Sequence, residues 1–532
     1  MRSGTASKRP TATAVSFPRA SALAVAAGGA LMACCWMPTG LAPLLPVAAF
    51  LVLRGARGVE TMRQATAFGL IGALAYQGIA AHFLLVLMRY SWLAFVLYPM
   101  TVAYYVLYWI ALFTGALLLE RRVGLPRRLG LVLLWPLLEV LKTASDASFP
   151  ADLLAYTFGT NPAWLAWMPW TGPYGMSLLI WSLGAILDVA WERRRERRLA
   201  SGLLAAALAA WFAVPLTDAL RPEGQGEAEA RFRVGMVQPF IEVQAKLDRS
   251  QWPSTWQRLE RLTLEAAEGS DLVLWPETTR PGPLVWRDGE PLSDPEVEAL
   301  AEKAGVPILY GCEIVKVRGD RIVALYNGAA MALPAGMSEK WYGKQRLLPF
   351  VEGVPFAGLV GWDPSKREIK SGRRSPLTLL GNFSRGPEPT VFRVGEARIG
   401  VLVCYEGMYP ELGRAYARAG VNLLAVITND AWWGRSIFPA WHAGMVASFA
   451  RSLDIPVVRA ANSGICSVTD SSGRMTAASE LSAITTMRAA VPIGPGSETW
   501  YEGHGQLIPW GIGVCLAFCS LFSARRTRRP AP

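Results

Sequence analysis

Charged side chains are scarce in this 532-residue chain: Asp, Glu, Lys and Arg supply only 18% of it, against 52% hydrophobic residues. That balance excludes an ordinary soluble enzyme of this size and makes a membrane protein the expectation. Acidic residues are outnumbered by basic ones, 41 to 53, for a formal charge of +12. The excess does not describe a nucleic-acid surface, because it lies in short clusters beside apolar segments: Arg121 and Arg122, Arg127 and Arg128, Arg193 to Arg195, Arg525 to Arg529. Such clusters are membrane-flanking anchors, so a bilayer, and no nucleic acid, is the expected partner. The chain also lacks internal repeats and, beyond its basic ends, low-complexity tracts. The spacing of Cys34, Cys35, Cys515 and Cys519 is no metal pattern, and neither a metal nor a cofactor is expected.

What is present in quantity is apolar sequence in lengths suited to a bilayer, which needs about 20 residues per helical span. Candidate spans fall at 20–36, 41–53, 65–88, 92–119, 129–146, 163–187, 199–217 and 505–524. The run from Ser91 to Leu119 contains no Asp, Glu, Lys or Arg, whereas the second span is short enough to be re-entrant. A basic start followed by Leu31-Met32-Ala33-Cys34 also has the form of a lipoprotein signal, against which stands simple packing of Cys34 in a helix. Three units follow: a helical bundle at 1–217, a soluble domain at 218–503, and a closing helix with a basic tail at 504–532.

Orientation follows from the basic residues. Arg2, Lys8, Arg9 and Arg19 lie in the leading tail, Arg54, Arg57 and Arg63 in the second connection, ERRVGLPRR in the fourth, ERRRERR in the sixth and ARRTRR at the end. With eight spans all of these fall in the cytoplasm and the soluble domain falls outside it. That compartment can be oxidising, and the domain holds an odd set of cysteines, Cys312, Cys404 and Cys466. At least one is then a free thiol unless pairing is intermolecular.

Within the soluble domain, β-rich runs recur at 231–238, 271–277, 306–313, 321–333, 398–406, 421–430, 455–462 and 464–470. Helical patterns alternate with some of them, at 256–267, after Ser293-Asp294-Pro295, at 410–420 and at about 442–453. This is an α/β layered domain. Ionisable groups collect at strand ends: Glu277 after LVLW, Lys344 and Glu352 in WYGKQRLLPFVEGVPF, Cys404 and Glu406 in LVCYEG. A thiol, an amine and a carboxylate suffice for acyl transfer, the thiolate attacking a carbonyl, the carboxylate taking the proton and the ammonium meeting the oxyanion. A cysteine placed before the helix PELGRAYARAG can have its pKa depressed by the helix amino terminus and a nearby lysine.

The set Trp275-Pro276-Glu277, Lys344-Gln345-Arg346-Leu347-Leu348-Pro349-Phe350 with Glu352, and Cys404-Tyr405-Glu406 looks like the nitrilase superfamily of carbon-nitrogen hydrolases. Flanked by several spans, it resembles the apolipoprotein N-acyltransferase family. The likeness extends to Phe149-Pro150, TGPYG at 171–175, NDAWWG at 429–434 and VVRAANSGI at 457–465. The resemblance implies a polytopic α-helical membrane bundle of about eight spans carrying an α/β nitrilase-like αββα sandwich. It implies Glu277 as general base, Lys344 as the oxyanion-stabilising lysine, Cys404 as nucleophile, and Glu352 and Glu406 as supporting carboxylates. The implied reaction takes an acyl chain from a phospholipid onto Cys404 as a thioester, then passes it to the amino group of a diacylglyceryl-cysteine on an apolipoprotein. The implied place is the cytoplasmic (inner) membrane, with the catalytic domain on its periplasmic or outer side; nothing demands a partner subunit, so a monomer is expected.

Other readings compete. A membrane-tethered nitrilase-type amidase explains the soluble domain alone, and a catalytically dead scaffold leaves the retention of Glu277, Lys344 and Cys404 unexplained. Lys340 lies near Lys344, and His442 is a conceivable partner for Cys404. Glu139, an acid within the fifth span, is a functional candidate or is paired with Lys142. Trp432, Trp433 and Trp441 either meet lipid or pack. The loop Phe350-Val351-Glu352-Gly353-Val354 departs from the family pattern, as does Gly407-Met408-Tyr409; Gly353, unlike Val351, takes positive φ cheaply and is the expected flexible point.

Overall fold

A computed structural model of the protein describes residues 17–89, 94–219, 230–360, 383–496 and 498–527. Arg2, Lys8, Arg9 and the end of the Arg525 to Arg529 cluster lie outside the described residues. Each expected span forms a helix: Arg19–Trp36, Leu45–Ala56, Met62–Ala80 (extended by a 3-10 segment, Ala81–Arg89), Ala94–Val123, Arg127–Ala144, Met168–Glu192, Arg197–Ala219 and Leu507–Thr527. Among the described residues, five stretches are long and apolar enough to cross a membrane: Arg19–Trp36, Met62–Arg89, Phe95–Val123, Pro162–Glu192 and Arg197–Leu216. The other three differ for physical reasons. Leu45–Ala56 has 12 residues, about 18 Å at 1.5 Å rise per residue, too short for the hydrocarbon core. Arg127–Ala144 carries Arg127, Arg128, Glu139 and Lys142. The apolar part of the last helix runs only from Leu507 to Leu521.

Without water to drive association, membrane helices pack through small residues that let backbones approach. Helices Arg19–Trp36 and Leu45–Ala56 do so: a Cβ on Gly28 would lie 2.8 Å from the Ala48 carbonyl oxygen, and one on Gly55 2.5 Å from that of Ser21. The buried acid of the fifth helix is not paired with Lys142. Glu139 Oε1 accepts from Trp135 Nε1 at 2.9 Å and from the Leu154 amide at 3.2 Å, while Lys142 Nζ meets Asp152 Oδ2 at 2.7 Å. Asp152, absent from the sequence reading, takes Lys142 because it sits on the 3-10 turn Pro150–Asp152, folded back against that helix.

The soluble domain is two sheets face to face. The first contains β1 (Ala230–Gln238), β2 (Leu272–Leu274), β3 (Leu284–Arg287), β4 (Ile308–Arg318), β5 (Arg321–Leu333) and β6 (Gly336–Gly343). The second contains β7 (Val391–Val394), β8 (Ala397–Val403), β9 (Leu423–Thr428), β10 (Val457–Ala461), β11 (Ser467–Thr469) and β12 (Met475–Ala478). The chain then returns to the first sheet as β13 (Thr485–Ile493), antiparallel to β1. Spatial orders are β13-β1-β2-β4-β5-β6, with β3 beside β4, and β12-β11-β10-β9-β8-β7. The central pairs β1/β2, β2/β4, β8/β9 and β9/β10 are parallel, and β2 and β9, covered on both faces, are apolar throughout rather than alternating.

Helices Trp252–Ala267 and Pro295–Ala304 cover the first sheet, and Pro410–Arg418 and Phe438–Leu453 the second, completing an αββα sandwich. Phe438–Leu453 is buried on nearly every side because the membrane bundle packs on its outer face. Trp36 lies 4.0 Å from Trp441 between ring centroids, and Ser448 Oγ donates to the Ala155 carbonyl at 3.4 Å. Trp433 packs on Phe438, 4.3 Å between centroids; these two tryptophans are packing residues. Sequence-read strands 398–406 and 421–430 are shorter in the structure, ending at Val403 and Thr428, because the residues that follow turn away to form the site.

Candidate active site

Each catalytic candidate sits where a strand of the sandwich ends. β8 delivers Cys404 into a 3-10 turn, Cys404–Met408, and Cys404 itself has φ +54°. For a residue with a Cβ this left-handed conformation costs on the order of 1 kcal/mol and persists where surrounding structure imposes it. Here the segment 148–156, between the fifth and sixth helices, holds the turn. Tyr405 donates to the Ser148 carbonyl, Ser148 Oγ and Tyr409 OH are 2.6 Å apart, and Tyr156 OH donates to the Met408 carbonyl at 2.7 Å.

Glu406 anchors the same turn from the opposite side. Its Oε2 accepts from the Val403 amide (2.9 Å) and Tyr342 OH (2.7 Å), and its Oε1 from the amides of Gln345 (2.7 Å) and Arg346 (3.1 Å). One carboxylate thereby ties the nucleophile strand to the lysine loop. Burial raises its pKa, opposed by these donors and by Lys344. Glu406→Gln is expected to place an NH2 against N–H donors and to cost about 2–4 kcal/mol, since buried groups lose their partners. Thermal unfolding followed with activity checks this: both should fall together, whereas full thermal stability with lost activity would put Glu406 in the chemistry instead.

Glu277 follows β2, three residues beyond its end, and is buried. The backbone at this point runs so close to β4 that a Cβ on Gly311 would lie 2.7 Å from Glu277 Cα. Glu277 Oε2 accepts from the Asn429 amide at 2.9 Å and Oε1 from Asn327 Nδ2 at 2.8 Å. Lys344, also buried, lies just past β6 with Nζ 2.9 Å from Glu352 Oε1 and 3.7 Å from Glu277 Oε1. Glu352 Oε1 shares the Asn327 amide at 2.8 Å, and its Oε2 accepts from the Leu348 amide at 2.8 Å. One ammonium and one amide thus sit between two carboxylates. Burial pulls the Lys344 pKa down, but Glu352, Glu277 and Cys404 more than reverse this, holding it above the ordinary lysine range.

Cys404 is a free, partly buried thiol, and the other cysteines among the described residues are free as well. Its pKa is raised, not depressed: burial acts first, the Glu277 charge second, and Lys344 only partly offsets them. The expectation of a helix-lowered thiol fails because the Cys404–Met408 turn and Tyr409 separate the cysteine from the helix Pro410–Arg418. Any reaction through this thiol therefore needs a base to take its proton.

The structure brings Glu277, Lys344, Glu352, Cys404 and Glu406 together and leaves the competitors apart. Lys340 is exposed and donates to the Val391 carbonyl at 3.2 Å. His442 is committed to a buried cluster, with Nδ1 3.1 Å from Asp430 Oδ1, while Asp430 Oδ2 holds Arg459 Nη2 at 2.5 Å. The left-handed point of the lysine loop is Phe350 (φ +62°), not Gly353; the loop closes on itself, the Phe350 amide donating to the Gly353 carbonyl at 2.8 Å. Sequence reading missed Asn327, whose one signal was a lone amide in the apolar run of β5, and Lys246, whose Nζ donates to the Glu277 carbonyl (3.2 Å) and Thr278 Oγ1 (3.1 Å). A cavity of about 360 Å³ opens beside these groups, with Lys246, Glu277, Asn327, Glu352, Asn429 and Trp432 in its wall.

Residues 233–498 match the carbon-nitrogen hydrolase family model, so the sandwich and its strand-end site define a carbon-nitrogen hydrolase domain. Residues 28–186 match the model of the apolipoprotein N-acyltransferase N-terminal domain. An apolipoprotein N-acyltransferase of Geobacter metallireducens is 31% identical over 522 residues, 96% of either chain. One of Chlorobaculum tepidum is 28% identical over 393 residues, covering 69% of this chain and 71% of that one. Among solved structures, a Saccharomyces cerevisiae member of the nitrilase superfamily is 17% identical and covers 52% of this chain and 94% of its own, with a TM-score of 0.36. The chain belongs to the apolipoprotein N-acyltransferase family and is an acyltransferase whose nitrilase-like domain is joined to apolar membrane helices.

Proposed function

We infer that the protein moves an acyl chain from a phospholipid to the α-amino group of the diacylglyceryl-cysteine of apolipoproteins, through a thioester on Cys404. The observation that carries this reading is a thiol, Cys404, in a turn gripped by the segment 148–156 between the fifth and sixth helices, in the same site as a buried ammonium, Lys344, set 3.7 Å from Glu277 and 2.9 Å from Glu352. Glu277 takes the thiol proton as sulfur attacks the donor's ester carbonyl; Lys344 faces the oxyanion; Glu277 returns the proton to the departing glycerol oxygen, releasing lysophospholipid. In the second half the acceptor amine attacks the thioester, Glu277 takes its proton, and the thiol leaves reprotonated. Glu352 orients Lys344 and Glu406 holds the turn. A thioester reacts with amines faster than the oxygen ester it came from, so one slow aminolysis becomes two easier steps.

Charge placement supports a cytoplasmic-membrane enzyme with its catalytic domain outside the cytoplasm. Basic residues from the second and fourth connections meet acids at the end of the sixth helix: Arg57 with Asp188 at 2.7 Å and Glu192 at 2.8 Å, Arg128 with Glu192 at 3.6 Å. They belong at one face, the cytoplasmic one by the positive-inside rule, while the opposite helix ends carry Ser148 and Tyr156 into the soluble domain.

The test is to incubate detergent-purified protein with phospholipid and no acceptor, then look by peptide mass spectrometry for an acyl group on Cys404. Its presence and removal by hydroxylamine are expected. Absence of the adduct, with lipoprotein also unmodified and small amides hydrolysed, would replace the transferase reading with the amidase one.

A further inference from the structure

The wall of the cavity beside Glu277 is mixed: Ile241, Val243, Trp252 and Phe383 give it apolar patches, while Lys246, Arg249, Thr278, Arg280, Glu313 and Asn429 give it a polar lobe. An acyl chain packed against the polar lobe would leave its groups without partners. That lobe suits the polar end of a substrate. Two of its cations stand apart from the third. Arg280 is consumed by Asp294, at 2.6 Å, and Glu296, at 3.1 Å. Lys246 makes no ion pair among the described residues; its ammonium has three donors, and the Glu277 carbonyl and Thr278 hydroxyl use two. Arg249, three residues on and exposed, has its guanidinium 5.6 Å from the Trp252 ring centroid and likewise no carboxylate partner among the described residues. Stacking fixes the guanidinium plane and leaves its N–H edge for a ligand.

We propose that Lys246 and Arg249 form an anion subsite that holds the phosphodiester of the acyl donor while its ester lies at Cys404. The proposal rests on the thioester reading above and names the part of the donor that this lobe of the cavity takes. When the acyl chain is bound at the thiol, the leaving glycerophosphate projects from the other side of the scissile carbonyl, a few bonds from its phosphorus. Lys246 is hydrogen-bonded to the backbone of Glu277 itself, so a phosphate there is registered against the base. The electrostatics agree: burial lowers the Lys246 amine to about 8, with Glu277, Glu313 and Cys404 pulling the other way. A bound phosphate supplies the missing counter-charge. Discrimination follows as well, since an acyl ester without phosphate leaves the ammonium unpaired.

The experiment compares wild type, Lys246→Gln, Lys246→Arg and Arg249→Gln in loading Cys404 from a phospholipid and from a phosphate-free acyl donor such as a p-nitrophenyl ester. For Lys246→Gln the phospholipid concentration giving half-maximal loading should rise roughly tenfold, as for the loss of a charge-assisted contact. Loading from the ester should change far less than loading from the phospholipid, Lys246→Arg should recover most of the affinity, and Arg249→Gln should show a smaller rise. Equal slowing with both donors would overturn the subsite and make Lys246 a prop for the Glu277 backbone. Unchanged loading with slowed aminolysis of preformed acyl-enzyme would overturn it in favour of an anionic group on the acceptor. Retention of a diether phospholipid, whose chains cannot be transferred, is read by native mass spectrometry in wild type and in the Lys246→Gln/Arg249→Gln double variant. Retention should be strong in the first and weak in the second whether or not a thioester forms, and equal retention sinks the proposal. Failure of every donor to load wild-type Cys404 would instead sink the thioester reading.

Discussion

Cys404→Ala is expected to lower acyl transfer by a factor on the order of 10⁴ or more, because no other group at the site can form the covalent intermediate. It is also expected to leave the fold intact. Cys404 follows the end of β8, and the turn that holds it is secured by Tyr405, Tyr409, Tyr156 and the Glu406 carboxylate. Alanine removes one sulfur atom and retains the Cβ. The left-handed conformation of position 404 is unfavourable for Ala as it is for Cys, so the backbone cost is unchanged. The decisive comparison is turnover against thermal unfolding of the purified variant: lost turnover at an unchanged unfolding temperature is the expected result. Turnover near the wild-type rate would end the covalent mechanism, and the constellation of Glu277 and Lys344 would then have to act on a directly bound acceptor.

How far the sequence alone reaches depends on which physical signal an element carries. Membrane helices are legible because hydrocarbon demands long apolar runs: a helix forms at each of the eight expected places, and five of these are long and apolar enough to cross a membrane. What composition cannot supply is how far each apolar run is sufficient by itself: Arg127–Ala144 holds two buried ionisable groups and depends on partners such as Trp135 and Asp152 that lie on its own face or on a following turn. In the soluble domain the central parallel strands are legible as apolar runs. The strands missed, β3, β6, β7, β12 and β13, are edge or near-edge elements with exposed residues alternating irregularly. β13 even contains Pro492, which argues against a strand unless it lies at an edge. The candidate site residues were legible as candidates because motif and strand end coincide, and the structure brings them together. Their ionisation was not: the thiol's direction of shift depends on burial and on Glu277, separated from it by more than a hundred residues, and on a turn that displaces the cysteine from the helix terminus. Asn327 shows the same limit from the other side, since an amide bridging two carboxylates is visible only once both are in place.

That ionisation produces the second large effect, and it separates two roles that loss of activity alone confounds. Glu277→Gln keeps the shape of the side chain and, through its carbonyl oxygen, can retain a bond from Asn327 or from the Asn429 amide, but it cannot accept a proton. Acyl transfer should fall by about 10³-fold or more, at the upper part of the range for general base catalysis. The thiol should respond in the opposite sense. Glu277 is the leading charge that raises the Cys404 pKa, after burial; removing it leaves Lys344, which lowers it, unopposed by that carboxylate. Alkylation of Cys404 by iodoacetamide, which needs only the thiolate, should therefore begin at lower pH in Glu277→Gln than in wild type. Lys344→Met should shift it to higher pH, since the thiolate then loses its cation. The two variants share a collapse in turnover and move the alkylation profile in opposite directions. Profiles that shift together, or not at all, would mean that Glu277 and Lys344 hold the site in shape without acting on the sulfur, because a group that only positions its neighbours has no reason to move the thiol's titration with the sign of its own charge.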